Sequence, residues 1–167
     1  MNENDLSKVI LDAAFRIHTK LGPGLLESFY EAVLAYELNK RGVAVRRQVP
    51  IPIRYEELVF EEGFRADLLV EDKVIVELKS VEQFAPVHGK QVLTQLRLSG
   101  RRLGLLINFG EIHLKNGIER VANGMPDEEC GRQAHTKDAT ENRGAQGRTK
   151  QPWISWLPLR PWREAKK

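Results

Sequence analysis

Two short segments with a period of two, separated by three charged residues, constrain this fold more than any other feature: residues 64–70 (FRADLLV) and 74–79 (VIVELK), joined by Glu71-Asp72-Lys73. Side chains alternate across a strand, so each segment has two chemically different faces. Phe64, Ala66, Leu68 and Val70 share one face of the first, and Val74, Val76 and Leu78 share one face of the second. A hairpin with a three-residue loop sets Val70 against Val74, Leu68 against Val76 and Ala66 against Leu78. A two-residue loop would put Leu68 opposite Glu77 and mix the faces, which a half-buried sheet resists. The three-residue loop is therefore expected. It places Asp67 across from Glu77, on the face that also carries Lys79.

Adjacent carboxylates repel, and a proton, a cation or a neighbouring lysine relieves the repulsion. Mg²⁺ suits such a place, because it takes hard oxygen ligands and often binds through one or two carboxylates plus water and phosphate. A cation there would polarise a phosphoryl oxygen and acidify a bound water. A cross-strand salt bridge from Asp67 or Glu77 to Lys79 uses the same residues without any metal. The hairpin alone leaves both readings open.

Around it the periodicity predicts further elements. Residues 5–21 form an amphipathic helix on Leu6, Val9, Ile10, Ala13, Ala14, Ile17 and Leu21, stopped by Gly22 as a left-handed cap and by Pro23. A second helix over 25–41 carries the stripe Leu26, Phe29, Tyr30, Val33, Leu34 and Leu38 and ends at Gly42. Alternation over 43–53 predicts a strand, and Pro50 and Pro52 put it at a sheet edge. A third helix spans 87–98, with Gly100 after it. Residues 103–109 (LGLLINF) read as a buried strand, and 111–121 as a short strand or turn. The order is that of a single α/β domain with a mixed sheet flanked by helices. Were the apolar strand 103–109 near an edge, it would offer a homodimer contact.

After Gly124 the composition breaks. Residues 125–150 are polar and read as a linker; 151–167 hold Trp153, Trp156, Trp162 and three prolines, and read as a flexible tail or a short binding motif. Residues 1–124 carry 17 Lys and Arg against 17 Asp and Glu, and 125–167 carry 9 against 6, so the formal +3 lies wholly in the tail. Nucleic acid would have to be met by a local patch or through metal. Arg97, Arg101 and Arg102 are such a patch, or else a solvated helix end favoured by the dipole. Cys130 stands alone, which excludes an intrachain disulfide and a cysteine zinc cluster. A polar, acidic start and the lack of any apolar run near the roughly 18 residues of a membrane span predict a cytoplasmic chain without a membrane partner.

The segment from Gly24 to Tyr30 reads G-x-x-E-x-x-Y. With Arg65-Ala66-Asp67-Leu68, Val76-Glu77-Leu78-Lys79 and Gly104-Leu105-Leu106-Ile107-Asn108-Phe109, the chain resembles the PD-(D/E)xK nucleases, and more narrowly their GxxExxY branch, over about residues 5–123. The resemblance implies a restriction-endonuclease-like fold over 1–124 and Mg²⁺-dependent hydrolysis of phosphodiester bonds in DNA, with Mn²⁺ able to substitute. By position it implies Asp67 and Glu77 as metal ligands, the backbone carbonyl of Leu78 as a third, and Lys79 as the catalytic lysine. Glu27 matches the acid of the preceding helix, and Gln91 the helical glutamine that supports the site. Ala66 replaces the proline before the aspartate. Gln95 stands where the exonuclease pattern of the superfamily has a tyrosine. His88 reads as a capping or surface residue, and Tyr30 and Tyr36 as packing residues. The competing classes are a non-catalytic nucleic-acid-binding or protein-interaction module on the same fold, and a structural domain with a surface ion-pair cluster.

Overall fold

Two helices open the chain in the computed structural model, which describes residues 1–124; the readings for 125–167, Cys130 and the tryptophans lie outside them. Helix α1 (Glu3–Leu21) starts at a reciprocal cap, in which the Asn2 side chain accepts from the Asp5 N–H and Asp5 accepts from the Asn2 N–H. It buries Leu6, Ile10, Ala13, Ala14 and Ile17, while Leu21 stays exposed. Gly22 takes a positive φ of 71°, but its ψ of −175° is not that of the left-handed cap expected. Helix α2 (Glu27–Lys40) begins two residues later than the apolar pattern predicts, after an extended Leu26. Its inner row is Tyr30, Leu34 and Leu38, with Glu31 and Ala35 beside it. Leu26 (76% exposed), Phe29 and Tyr36 face outward, contrary to the expected stripe and to the expected packing of Tyr36.

The strands are β1 (Val45–Tyr55), β2 (Leu58–Val70), β3 (Val74–Lys79), β4 (Leu103–Asn108) and β5 (Ile118–Ala122), with α3 (Pro86–Ser99) between β3 and β4. The sheet order is β1-β2-β3-β4-β5, antiparallel throughout except for β3–β4, which are parallel and joined through α3. Helices α1 and α2 pack on one face over Val70, Val74, Val76, Leu78 and Leu105. On the other, Val92 and Leu96 of α3 pack over Leu69, Ile75 and Leu106. This is an α/β domain of the restriction-endonuclease-like kind, a mixed sheet flanked by helices. Its described residues all fall in one compact unit. No helix among them is long and apolar enough to cross a membrane.

Two strand expectations need correction. The apolar strand β4 lies one strand in from an edge: β5 covers it and all six residues are buried, so it offers no unpaired edge of its own. The edges are β1, as Pro50 and Pro52 predict, and β5. The β1–β2 hairpin is also longer than expected, turning at Glu56-Glu57 without the usual Gly or Asn; Glu56 itself takes a φ of 53°. Register slips between Ile51 and Ile53, where a Cβ on Gly63 would stand 2.1 Å from Ile53 Cγ1, so the bulge requires glycine there.

The hairpin also changes faces along its length. Leu68 and Val70 pack toward α1 and α2, whereas Phe64 and Ala66 pack toward α3. Between them the ladder omits the Gln48–Asp67 pair, and Gln48 has a φ of 51°, a left-handed backbone that a non-glycine residue takes only at a cost.

Candidate active site

The β2–β3 ladder runs Val70↔Val74, Leu69↔Ile75 and Leu68↔Val76, the register that a three-residue loop predicts. One step further the strands part, and neither the expected Asp67–Glu77 pair nor the Ala66–Leu78 pair beyond it forms. The Leu78 N–H instead donates to Asp67 Oδ2 at 2.8 Å. Along a strand, a residue's N–H and C=O project toward the same neighbour, so the Leu78 carbonyl also faces this opening. Lys79 turns its carbonyl the other way, accepting from the Phe109 N–H at 2.7 Å. The opening is thus bordered by Asp67, the Leu78 carbonyl and, next along β3, Glu77.

Glu77 is buried, and each of its oxygens has a donor. Oε1 accepts from Lys79 Nζ at 3.0 Å and Oε2 from Gln95 Nε2 at 3.2 Å. Burial, and then the charge of Glu77, push the Asp67 carboxyl up to about 6; the Leu78 N–H and Lys79 pull against them. Burial alone would lower the Lys79 ammonium, but Glu77, by charge and hydrogen bond, followed by Glu27 and Asp67, holds it above its ordinary value. An acid strained toward protonation beside a second acid is the environment a cation relieves. Among the described residues no three His, Cys, Asp or Glu side chains converge on one point. A metal here would therefore be held by two carboxylates, one carbonyl and water. That donor set fits Mg²⁺ or Mn²⁺ and not a closed zinc site.

Glu27, the first residue of α2, accepts from the Ser80 N–H at 3.1 Å, and the Ser80 hydroxyl donates to the Leu25 carbonyl at 2.7 Å. The start of α2 is thereby tied to the residue after Lys79. One turn on, the buried Glu31 accepts from Arg47 Nε at 2.8 Å and from Gln48 Nε2 at 2.7 Å; the same Gln48 amide reaches Asp67 Oδ1 at 3.4 Å. From the other side, the buried Asn108 accepts from the N–H groups of Val81 and Gly110, both at 3.0 Å, and donates to the Val81 carbonyl at 2.8 Å.

Asp67, Glu77, Leu78, Lys79 and Glu27 thus gather at one place. The glutamine that touches Glu77 is Gln95, one turn beyond the half-buried Gln91. The arginines are not gathered there. Arg101 is bound to Asp72 and to the Ser99 carbonyl, Arg102 reaches the Gly124 carbonyl, and Arg97 is exposed in the last turn of α3. Asp72 precedes β3 and Lys79 ends it, a strand length of roughly 20 Å away. His88 lies inside α3 and accepts from the Ala85 N–H at 3.2 Å, as a capping residue does. Tyr30 stacks on Phe109, with centroids 4.3 Å apart, and donates to the Gly22 carbonyl at 2.6 Å, as a packing residue does.

The supporting contacts of Glu31, Gln48, Gln95 and Asn108 escaped the sequence reading, which named Gln95 only as a departure from the exonuclease pattern and Asn108 only within the resembling motif. The spacing of Glu31 from Glu27, and of Gln95 from Gln91, is one helical turn, which puts each pair on one face. Nothing in the sequence marks Gln48 as left-handed. Residues 4–121 match the family model of the PD-(D/E)XK nuclease superfamily. No curated protein and no solved structure matches the chain.

Proposed function

Because the chain belongs to the PD-(D/E)XK nuclease superfamily, we propose that it hydrolyses phosphodiester bonds in DNA with Mg²⁺, or Mn²⁺ in its place, held at the opening between β2 and β3. The observation that carries this reading is the capture of the Leu78 N–H by Asp67 where the ladder breaks. It leaves the Asp67 carboxylate beside the Leu78 backbone, between Glu77 and Lys79 in the chain, where a cation could be held. Asp67, Glu77 and the Leu78 carbonyl would hold the cation, with Glu27 orienting water at its rim. When bound, the cation polarises a phosphoryl oxygen and acidifies a water. Lys79 enters protonated, since its neighbours hold it above its ordinary value. From Nζ it would donate to the phosphate or to the attacking water and offset charge developing on the phosphate. Within the superfamily, the G-x-x-E-x-x-Y spacing of Gly24, Glu27 and Tyr30 supports a place in the GxxExxY branch.

The neutral body and the internal ties of Arg101 favour a second reading, a non-catalytic module that keeps the fold. One experiment separates them: labelled single-stranded, duplex and branched DNA incubated with Mg²⁺, Mn²⁺ or EDTA, beside Asp67→Ala and Lys79→Ala. Cleavage that needs metal and is lost in both folded variants supports the nuclease. Cleavage that survives both sinks the mechanism, and no cleavage of any substrate favours the binding module.

A further inference from the structure

We propose that Gln95 is a positioning residue that aims the carboxylate of Glu77 at the cation. The consequence rests on the metal-site reading above, while the geometry stands apart from it. Gln95 is fully buried on the sheet-facing side of α3. Its Nε2 donates to Glu77 Oε2, but its Oε1, also buried, has no hydrogen-bond partner among the described residues. A buried carbonyl without a partner destabilises a fold, and an apolar side chain of the same size would remove that cost. Packing alone therefore does not account for an amide at this position.

What the amide supplies is control of a carboxylate. Lys79 Nζ holds Glu77 Oε1 and Gln95 holds Oε2, so the two oxygens are anchored to different elements, β3 and α3. Without Gln95 the carboxylate is free to turn both oxygens to Lys79. That would draw a ligand oxygen and the ammonium onto each other and away from the opening beside Asp67. Helix α3 lies close enough for this contact because β4 carries Gly104 beneath it, where a Cβ would stand 2.5 Å from Val92 Cγ1. An amide is also the right chemistry: it donates without adding charge, whereas a carboxylate at position 95 would face Glu77 as a third acid.

The test uses the full chain with Gln95→Met and Gln95→Leu, two apolar replacements in case one packs badly. Melting is followed in EDTA, Mn²⁺ affinity by titration calorimetry and cleavage by single-turnover assay, with Glu77→Gln as the control for site-specific metal binding. Both variants are expected to stay folded, since removing the unpaired Oε1 offsets part of the lost donor to Glu77 Oε2, yet to bind Mn²⁺ about 10- to 100-fold more weakly, as loss of a partner behind a metal ligand does. Mn²⁺ affinity within about twofold of wild type in a folded variant assigns Gln95 to packing and overturns the proposal. If the wild type binds Mn²⁺ through Glu77 but cuts nothing, the nuclease reading fails while the Gln95 variants still decide this one. If the wild type binds no metal, both fall.

Discussion

Asp67 carries a conflict between stability and function. Its carboxyl holds a proton up to a pH of about 6 in the folded chain, against 3.8 ordinarily, so between those values the folded state binds more protons than the unfolded one. Stability contributed through this residue thus falls as pH rises from about 4 to about 6, and the full penalty is present above that. Asp67→Asn removes it and keeps an oxygen for the Leu78 N–H. In EDTA at pH 8 the variant should be more stable than wild type by about 1–3 kcal/mol in urea unfolding, and the gap should close near pH 4. Added Mg²⁺ should reverse the order, since only wild type gains from binding. Equal stability at pH 8 would show that burial and Glu77 do not press on this carboxyl. Lys79 is the converse case, a cation that keeps the buried Glu77 charge tolerable. Lys79→Met should cost about 3 kcal/mol, and adding Glu77→Gln should recover most of it, because an orphaned buried charge costs more than the pair contributes. Additive losses in that double variant would contradict the pairing. Alternation and loop length made it legible that Asp67 and Glu77 come to the same end of the hairpin, but not that the ladder breaks there, where Asp67 takes the Leu78 N–H in place of a pairing with Glu77. The contact of Gln95 was not legible either, because a helix-period pattern identifies a face without saying which polar residue on it meets a partner.

At the scale of elements, the site depends on segments that must end or turn in particular places. β3 stops at Lys79, and the residues after it are held by Asn108 at the end of β4 and by the close approach of Gly110 to Val81. A Cβ on Gly110 would lie 2.3 Å from the Val81 carbonyl oxygen and 2.7 Å from its nitrogen, both backbone atoms that cannot rotate away. Gly110→Ala should therefore cost about 1–3 kcal/mol by overpacking. It should also loosen the Ser80 N–H from Glu27, seen as faster amide exchange at Ser80 and Val81, with cleavage falling more than the melting shift alone explains. Unchanged exchange there would mean that the loop gives way elsewhere. The elements with a strong period, α1, β3, α3 and β4, were readable to within a few residues. The arm of β1 and β2 beyond residue 53 was not, since its tip (Tyr55, Leu58, Val59, Phe60) is exposed and no buried face imposes alternation on it. The face switch at Gln48 and Asp67 was hidden for a related reason. Register continues through it, so the sequence pattern reads straight where the backbone turns.

For the molecule as a whole, charge decides how nucleic acid can be held. Residues 1–124 are neutral overall, and around the opening Glu27, Glu31, Asp67 and Glu77 outnumber Lys79 and Arg47. A phosphate approaching the empty site meets net negative charge, and a divalent cation cancels it, so substrate and metal should bind with positive coupling. All of the net +3 lies in residues 125–167, which would add a sequence-independent attraction for nucleic acid that salt screens. The two contributions separate in one titration of the full chain against a short duplex, in EDTA and in Ca²⁺, at two salt concentrations. Ca²⁺ should raise affinity by about tenfold, the size of an ordinary coupling between two sites, and Asp67→Ala should abolish that increment without lowering the affinity in EDTA, since it removes one of the repelling charges. The affinity remaining in EDTA should fall as salt rises, since it is carried by charge alone. An increment that persists in Asp67→Ala would place the coupling cation elsewhere. A salt-insensitive remainder would mean that the neutral body holds nucleic acid by contacts other than charge, which is how a binding module on this fold, not a nuclease, would behave.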